Sequence, residues 1–403
     1  MRVLVVTNLA PTMENHMSGI FVVRRLQQYP KFHIDYLAIS LGFEDCWDVR
    51  FVKKLLRKNS NAPLDQLLDV KFEHALISRN LAKLLLWRTR LIDNAKLISE
   101  YVHRIESMLG DFQFDLIHAH GMYEIPAGEI AYLLARKHNK PFVVTLHGSD
   151  VNLLMPKRKQ RYTEIFESAS KCIFVSKALL EKAKSFGYSG KNAVVIPNGY
   201  DPEIFKPMDK EQMRRELGIH KENTHCVGFV GNLIPIKRAD KLPEIFESVV
   251  KNIPNVRFII VGDGALRDKI LKQMKDLDVV FAGRVPQTEV AKYMNAMDVM
   301  VLPSRQEGFG AVVIEAQACG TCVIGSSNGG IPEAIGFEEY VVEEGDQFEE
   351  RFAKRVVEVL KEGYNINKLL ERAKEFTWKN IVFAEMRIYR DVLGLLKLGG
   401  TDQ

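Results

Sequence analysis

Apolar runs too short to be helices alternate along the whole chain with longer segments of helical spacing. In the first half the runs are Val3 to Thr7, Ile34 to Ile39, Asp115 to His118, Phe142 to Leu146, Lys171 to Val175 and Val194 to Pro197. Segments such as Leu81 to Leu109 and Ala127 to His138 lie between them and carry helix-forming residues. Nearly continuous apolar strands separated by helices predict a mostly parallel sheet covered on both faces. The pattern then starts again, with strands expected at Cys226 to Val230, Arg257 to Val261, Val279 to Ala282, Val299 to Leu302 and Cys322 to Ile324. Helices are expected at Lys241 to Lys251, Ala265 to Lys275, Thr288 to Met297 and Ala311 to Ala318.

Two α/β domains of similar design follow from this repetition. Pro197-Asn198-Gly199-Tyr200-Asp201-Pro202 marks the boundary, being dense in residues that stop helices and set turns. A last helical pattern, from about Phe376 to Leu395, is expected to fold back onto the first domain. Open parallel sheets bind ligands at the carboxyl ends of their strands, so two such edges turned toward each other would make a cleft.

Composition changes this picture little. The 403 residues are 46% hydrophobic and 27% charged, which suits a globular protein with a large core and excludes disorder. No apolar stretch is long enough to span a bilayer, and Val3 to Val6 is too short for a secretory signal. The expected location is the cytoplasm. Five scattered cysteines, Cys46, Cys172, Cys226, Cys319 and Cys322, read as free thiols in a reducing compartment. The net charge of +5 is uneven: residues 50–104 hold 12 Lys or Arg against 5 Asp or Glu. The segment from Phe51 to Lys58 mixes apolar and basic side chains, as a solvated helix face does and as a surface resting on anionic lipid at the inner face of the membrane also does. No nucleic-acid recognition motif accompanies the charge.

The chemistry concentrates at strand exits. After the run Val299 to Leu302 comes Pro303-Ser304-Arg305-Gln306-Glu307-Gly308-Phe309-Gly310, which opens the helical segment Ala311 to Gly320. Gly308 and Gly310 let backbone amides approach a ligand, and the helix start offers N–H groups and partial positive charge to phosphate. Glu315 has Ala311, Val312, Ala318 and Cys319 as helical neighbours. Burying it alone would cost several kcal/mol, so it needs hydroxyls or an internal cation as partner. Glu307 can accept from a polyol. Gly231-Asn232-Leu233-Ile234-Pro235-Ile236-Lys237-Arg238 is a second glycine loop, in which Lys237, or Arg238 in its place, can neutralise a diphosphate. Gly262-Asp263-Gly264 and Gly283-Arg284 are further strand-exit loops, read as structural turns with donor contact at Gly262 and Arg284.

In the first domain His147 leaves the strand Phe142 to Leu146 within Thr145-Leu146-His147-Gly148-Ser149-Asp150. It can donate to a sugar hydroxyl or handle a proton. His118, His120, Tyr123 and Glu124 occupy another strand exit, and Ser18-Gly19 opens a helix after a long first loop suited to a second substrate. Cys319-Gly320-Thr321-Cys322 falls where a helix gives way to a strand, so two buried thiols are preferred to a redox pair. Asp276-Leu277-Asp278 stands before a strand, away from these loops, and reads as a solvated turn rather than a metal site.

The run Pro303 to Gly320 resembles the E-x7-E signature of retaining glycosyltransferases of family 4, and the order of the other loops resembles that family along nearly the whole chain. The resemblance implies the GT-B architecture, an α/β fold of two Rossmann-like domains facing across a deep cleft. Residues 1–200 would bind the acceptor and residues 201–375 the nucleotide sugar, with 376–398 crossing back. It implies that Glu307 contacts the donor sugar, Glu315 the ribose and Lys237 the diphosphate. His147 would stand near the transferred sugar, and Gly308, Phe309 and Gly310 would present the loop to the donor. Ser18, Gly19, His120 and Tyr123 would serve the acceptor. Where many members carry an arginine, five positions before the lysine, this chain has Asn232. Arg238 is a candidate substitute.

The expected reaction is hexosyl transfer from a UDP- or GDP-sugar to a lipid-linked, polysaccharide or small-molecule hydroxyl, without an essential metal. A same-face route assisted by the leaving phosphate is implied. The competing readings are a non-catalytic nucleotide-sugar-binding module, a GT-B phosphorylase and a nucleotide-sugar epimerase.

Overall fold

A computed structural model of the protein describes residues 1–13, 17–55, 64, 66–88 and 94–395. Residues 56–58 of the apolar-basic segment and 396–398 of the expected closing helix lie outside that set. The chain divides into two compact units: Met1–Ile196 with Ile381–Gln403, and Pro197–Asn380.

The first unit contains β1 (Arg2–Thr7), β2 (Asp35–Asp45), the short strands β3 (Gln66–Leu67) and β4 (Val70–Lys71), β5 (Glu73–Arg79), β6 (Leu116–His120), β7 (Phe142–Leu146), β8 (Lys171–Phe174) and β9 (Ala193–Val195). Seven of these form one sheet in the order β5-β2-β1-β6-β7-β8-β9, every pair parallel. The central strands β6 and β7 are buried at every residue, which is why they read as largely apolar, although β6 also buries His118 and His120. The edge strand β5 escapes the sequence pattern. It buries Ala75 and Ile77 but exposes Ser78, so it lacks the unbroken apolar run of a central strand.

The second unit contains β10 (His225–Val230), β11 (Val256–Val261), β12 (Val279–Gly283), β13 (Val299–Leu302), β14 (Cys322–Ser326) and β15 (Val341–Val342). Their order is β12-β11-β10-β13-β14-β15, all parallel. This is the doubly wound Rossmann order, and its switch point lies between β10 and β13, where Val227 pairs with Val299. Helix Leu242–Asn252 packs on this sheet through Phe246, whose ring stacks on Phe258 at 4.0 Å.

Helix Trp378–Val392 returns to the first unit from Ile381 onward. Glu385 on it accepts from Arg25 at 2.6 Å, with both side chains fully buried. One turn on, the Tyr389 hydroxyl meets the Tyr29 hydroxyl at 2.7 Å and His118 Nδ1 at 2.6 Å. The buried apolar face of this helix, with one carboxylate in it, is thus locked in register by charge. Removing one partner of a buried pair is expected to cost about 3–5 kcal/mol. Glu385→Ala should therefore lower unfolding stability by that amount in urea titrations, whereas Glu181→Ala, in an exposed helix pair with Lys184, should cost less than about 1 kcal/mol.

Candidate active site

In the second unit the switch point carries the charged side chains. The loop after β10 forms a short turn over Pro235–Lys237, and the loop after β13 ends in helix Ala311–Ala318. Gly310 caps that helix with φ 91°, a left-handed backbone that favours glycine. The Arg305 amide donates to the Ile236 carbonyl at 2.8 Å, and the Arg305 guanidinium binds Asp240 at 2.7 and 3.0 Å. The two loops are thereby tied together. Across this tie Lys237 Nζ forms an ion pair with Glu307 Oε1, which also accepts from Ser304 Oγ at 3.1 Å. The lysine side chain is 24% exposed and the glutamate 11%, so the pair sits at the surface of the site rather than in the core.

Arg238 turns elsewhere. Its guanidinium lies 3.9 Å from the Phe348 ring centroid and donates to both carboxylate oxygens of Glu344 at 2.8 Å. Its Nη2 is thus matched by a carboxylate and its plane by a ring face, while Nε and Nη1 are buried without a hydrogen-bond partner among the described residues. Asn232 itself is exposed. Glu344 also accepts from Asn328 Nδ2 at 2.5 Å, and Asn328 reaches the Ser304 carbonyl at 3.1 Å. Ser326 Oγ donates to the same carbonyl at 2.6 Å. Glu344 and Asn328 come from loops after β15 and β14 and were missed in the sequence. Only the parallel order of the strands brings them to Ser304.

Glu315 is half-buried on its helix, and its charge is the second cause, after burial, that raises the Cys319 thiol. Gly308 is partly buried and Phe309 is buried. Gly262 has φ 131°, and a side chain there would meet the Gly231 carbonyl oxygen at 2.0 Å. Its amide donates to the Gly283 carbonyl at 2.8 Å, so this loop is a tight structural turn. Arg284 is exposed beyond it. Asp278 pairs with Arg257 at 2.9 Å and Lys221 at 3.1 Å, which together hold its carboxyl below the usual range against the opposing effect of burial. Cys319 and Cys322 are buried free thiols. Among the described residues no three His, Cys, Asp or Glu side chains are placed to hold a metal ion.

In the first unit the corresponding edge carries histidines. His118 is fully buried, with Nε2 at 2.7 Å from Thr145 Oγ1. The His120 ring lies 4.1 Å from His118 and 5.5 Å from His147, and His120 Nδ1 is 3.3 Å from His147 Nε2. Phe21, just after Ser18 and Gly19, packs on His147 at 4.4 Å. The buried Asp150 accepts from the His147, Gly148 and Val151 amides at 3.0, 2.8 and 3.0 Å, which fixes the loop that holds His147. His120 Nε2 and His147 Nδ1 are buried without a hydrogen-bond partner. Tyr123 sits apart from this ring stack and lines a cavity of about 180 Å³ with Glu124, Leu154, Lys157, Arg158 and Tyr162.

Burial, with Arg25 adding, pushes the His118 imidazole down to about 3. Burial first, then neighbouring charge, also holds His120 and His147 well below the usual range. All three are neutral rings near pH 7, suited to hydrogen bonding rather than to carrying charge.

The sequence matches two protein-family models. One is described as Glycosyltransferase Family 4, over residues 69–204, and the other as Glycosyl transferases group 1, over residues 224–362. The N-acetyl-alpha-D-glucosaminyl L-malate synthase of Bacillus anthracis is 31% identical over 294 residues, covering 69% of this chain and 75% of that protein. The Bacillus subtilis protein TuaC, a putative teichuronic acid biosynthesis glycosyltransferase, is 29% identical, covering 85% of each. Among solved structures, a Thermosynechococcus elongatus sucrose-phosphate synthase superposes with a TM-score of 0.74 over 98% of this chain and 100% of that one, at 20% identity. Anabaena HepE in complex with UDP-glucose superposes with a TM-score of 0.67 over the same shares, at 19% identity. Fold and site together define an enzyme of the GT-B class, one that transfers a sugar from a nucleoside-diphosphate donor to an acceptor. The chain belongs to glycosyltransferase family 4.

A depressed histidine is protonated in the unfolded chain before the folded one, so its contribution to stability is present above pH 6.5 and is lost as pH falls. For His118 the loss between pH 7.5 and pH 5 is about 2 kcal/mol. The stability advantage of the wild type over His118→Asn should shrink by that amount across this range in urea titrations. A constant difference would show that the ring titrates in the fold as it does in the unfolded chain.

Proposed function

We propose that the second unit binds the nucleoside diphosphate of the donor at its switch point, and that the first unit supplies the acceptor hydroxyl. The observation that carries this reading is the meeting of Lys237 and Glu307 from two different strand exits beside a helix start. A diphosphate draws on Lys237 and the amides around Gly308 to Gly310, while the transferred sugar hydroxyls take up Glu307. The ammonium and amides then face the oxygen on which negative charge grows as the glycosidic bond breaks. Glu315 holds the ribose. His147, neutral and held by the Asp150-bound loop, hydrogen-bonds at the sugar rather than acting as a cation. Transfer proceeds with retention, the leaving phosphate assisting attack on the same face.

UDP-sugar is the proposed donor, in keeping with the UDP and UDP-glucose complexes of HepE. The acceptor is a hydroxyl compound; relatives carry names built on L-malate, D-inositol 3-phosphate and teichuronic acid.

Native mass spectrometry with UDP-glucose, UDP-N-acetylglucosamine and GDP-mannose should identify the donor, followed by turnover with an acceptor panel. Lys237→Ala should lower kcat/KM about 10²–10³-fold with the fold intact. Unchanged kinetics would remove the lysine from the reaction. Glu315→Ala should weaken donor binding roughly tenfold in titration calorimetry, as expected for loss of a charge-assisted hydrogen bond. A fall in melting temperature with unchanged donor affinity would instead assign Glu315 to the core.

A further inference from the structure

A helix at the edge of the first unit turns its largest apolar side chains outward. Helix Trp47–Leu55 begins just beyond the carboxyl end of β2. Val49 faces inward and is 2% exposed. Trp47, Phe51 and Leu55, spaced four residues apart on the opposite side, are 78%, 58% and 68% exposed. Single exposed apolar residues are ordinary, but three of this size along one helical stripe are not.

The charge on this helix is one-sided. Arg50 and Lys54 are exposed and, at 3.6 residues per turn, flank the apolar stripe. Glu44 is exposed on β2, but the two acids nearest the helix start are spent elsewhere. Asp48 accepts from the Val49 and Leu81 amides at 2.8 and 2.9 Å, and Asp45 pairs with Arg79 and Lys53, both at 2.6 Å. What remains outward is an aromatic and aliphatic ridge bordered by two cations.

We propose that this face docks on an anionic lipid bilayer. Trp47, Phe51 and Leu55 enter the region between headgroups and acyl chains, and Arg50 and Lys54 lie against lipid phosphates. A second copy of the chain is the weaker occupant. A two-fold contact through this stripe would set Arg50 and Lys54 against the same cations of the other copy. The topology gives the docking a consequence. All seven strands of the sheet are parallel, so the helix lies at the same carboxyl edge from which His120 and His147 emerge. An acceptor taken up at that edge would be met at a lipid–water interface. The docking does not depend on the donor-site reading.

The full chain is to be floated with vesicles of phosphatidylcholine alone and of phosphatidylcholine with phosphatidylglycerol. The expected result is flotation with the anionic vesicles, weakened by salt, and none with phosphatidylcholine. The double variant Arg50→Gln/Lys54→Gln should lower the partition coefficient about 25-fold, each cation accounting for about fivefold. The triple variant Trp47→Ser/Phe51→Ser/Leu55→Ser should lower it roughly a hundredfold or more. These positions are exposed, so circular dichroism and melting temperature should match the wild type. Failure to float at low salt, or flotation of the triple variant like the wild type, overturns the proposal. It is also overturned if sedimentation shows a dimer that Phe51→Ser dissociates while the vesicles are ignored.

Discussion

Winding in the second unit runs outward in both directions from β10 and β13, so the connections leaving these neighbours part over the edge of the sheet. The site depends on that divergence. Lys237 arrives on one connection and Glu307 on the other, and they meet because the strands beneath are parallel and paired at Val227 and Val299. The bond from Arg305 to the Ile236 carbonyl and the anchoring of Ser304 by Ser326 and Asn328 hold the loops at fixed separation. Without them, two long charged side chains would lose much of their interaction to rotamer entropy.

The first unit applies the same topology with different chemistry. At its strand exits stand neutral rings, His118, His120 and His147, with His120 tilted against His118 and stacked on His147, kept uncharged by burial and by neighbouring charge including Arg25. The returning helix supplies Glu385 to answer Arg25 and Tyr389 to answer His118. The C-terminal segment is therefore part of the support beneath the histidine stack. One edge is built from charge and the other from uncharged hydrogen-bonding groups. In the proposed reading this division suits a diphosphate on one side and a hydroxyl on the other.

Arg238 shows how tertiary context redirects a residue. In the chain it stands beside Lys237, where a second cation would suit a diphosphate. Its backbone takes a left-handed turn, with φ 52°, its guanidinium lies over Phe348 and its Nη2 is bound to Glu344, while Nε and Nη1 are buried without a partner among the described residues. Stacking and a bidentate carboxylate offset the conformational cost of a non-glycine residue there. The arginine becomes a brace between loops.

The alternation of apolar runs and helical segments was enough to place all the central strands of both sheets, because residues buried on two faces are mostly apolar. The glycine loop before a helix start was likewise visible at Gly308 to Gly310, and Gly310 takes a left-handed backbone that few other residues permit. The half-exposed edge strand β5 was hidden because its alternation leaves no unbroken apolar run. The partners Glu344, Asn328 and Asp240, the neutrality of the histidines and the burial of Arg25 were decided by tertiary structure alone. Each depends on which groups approach across distances of tens to hundreds of residues, and on how much water remains between them. Local sequence specifies which side chains can carry charge or hydrogen bonds. Packing sets the dielectric surroundings and the partners, and with them the work each side chain can do.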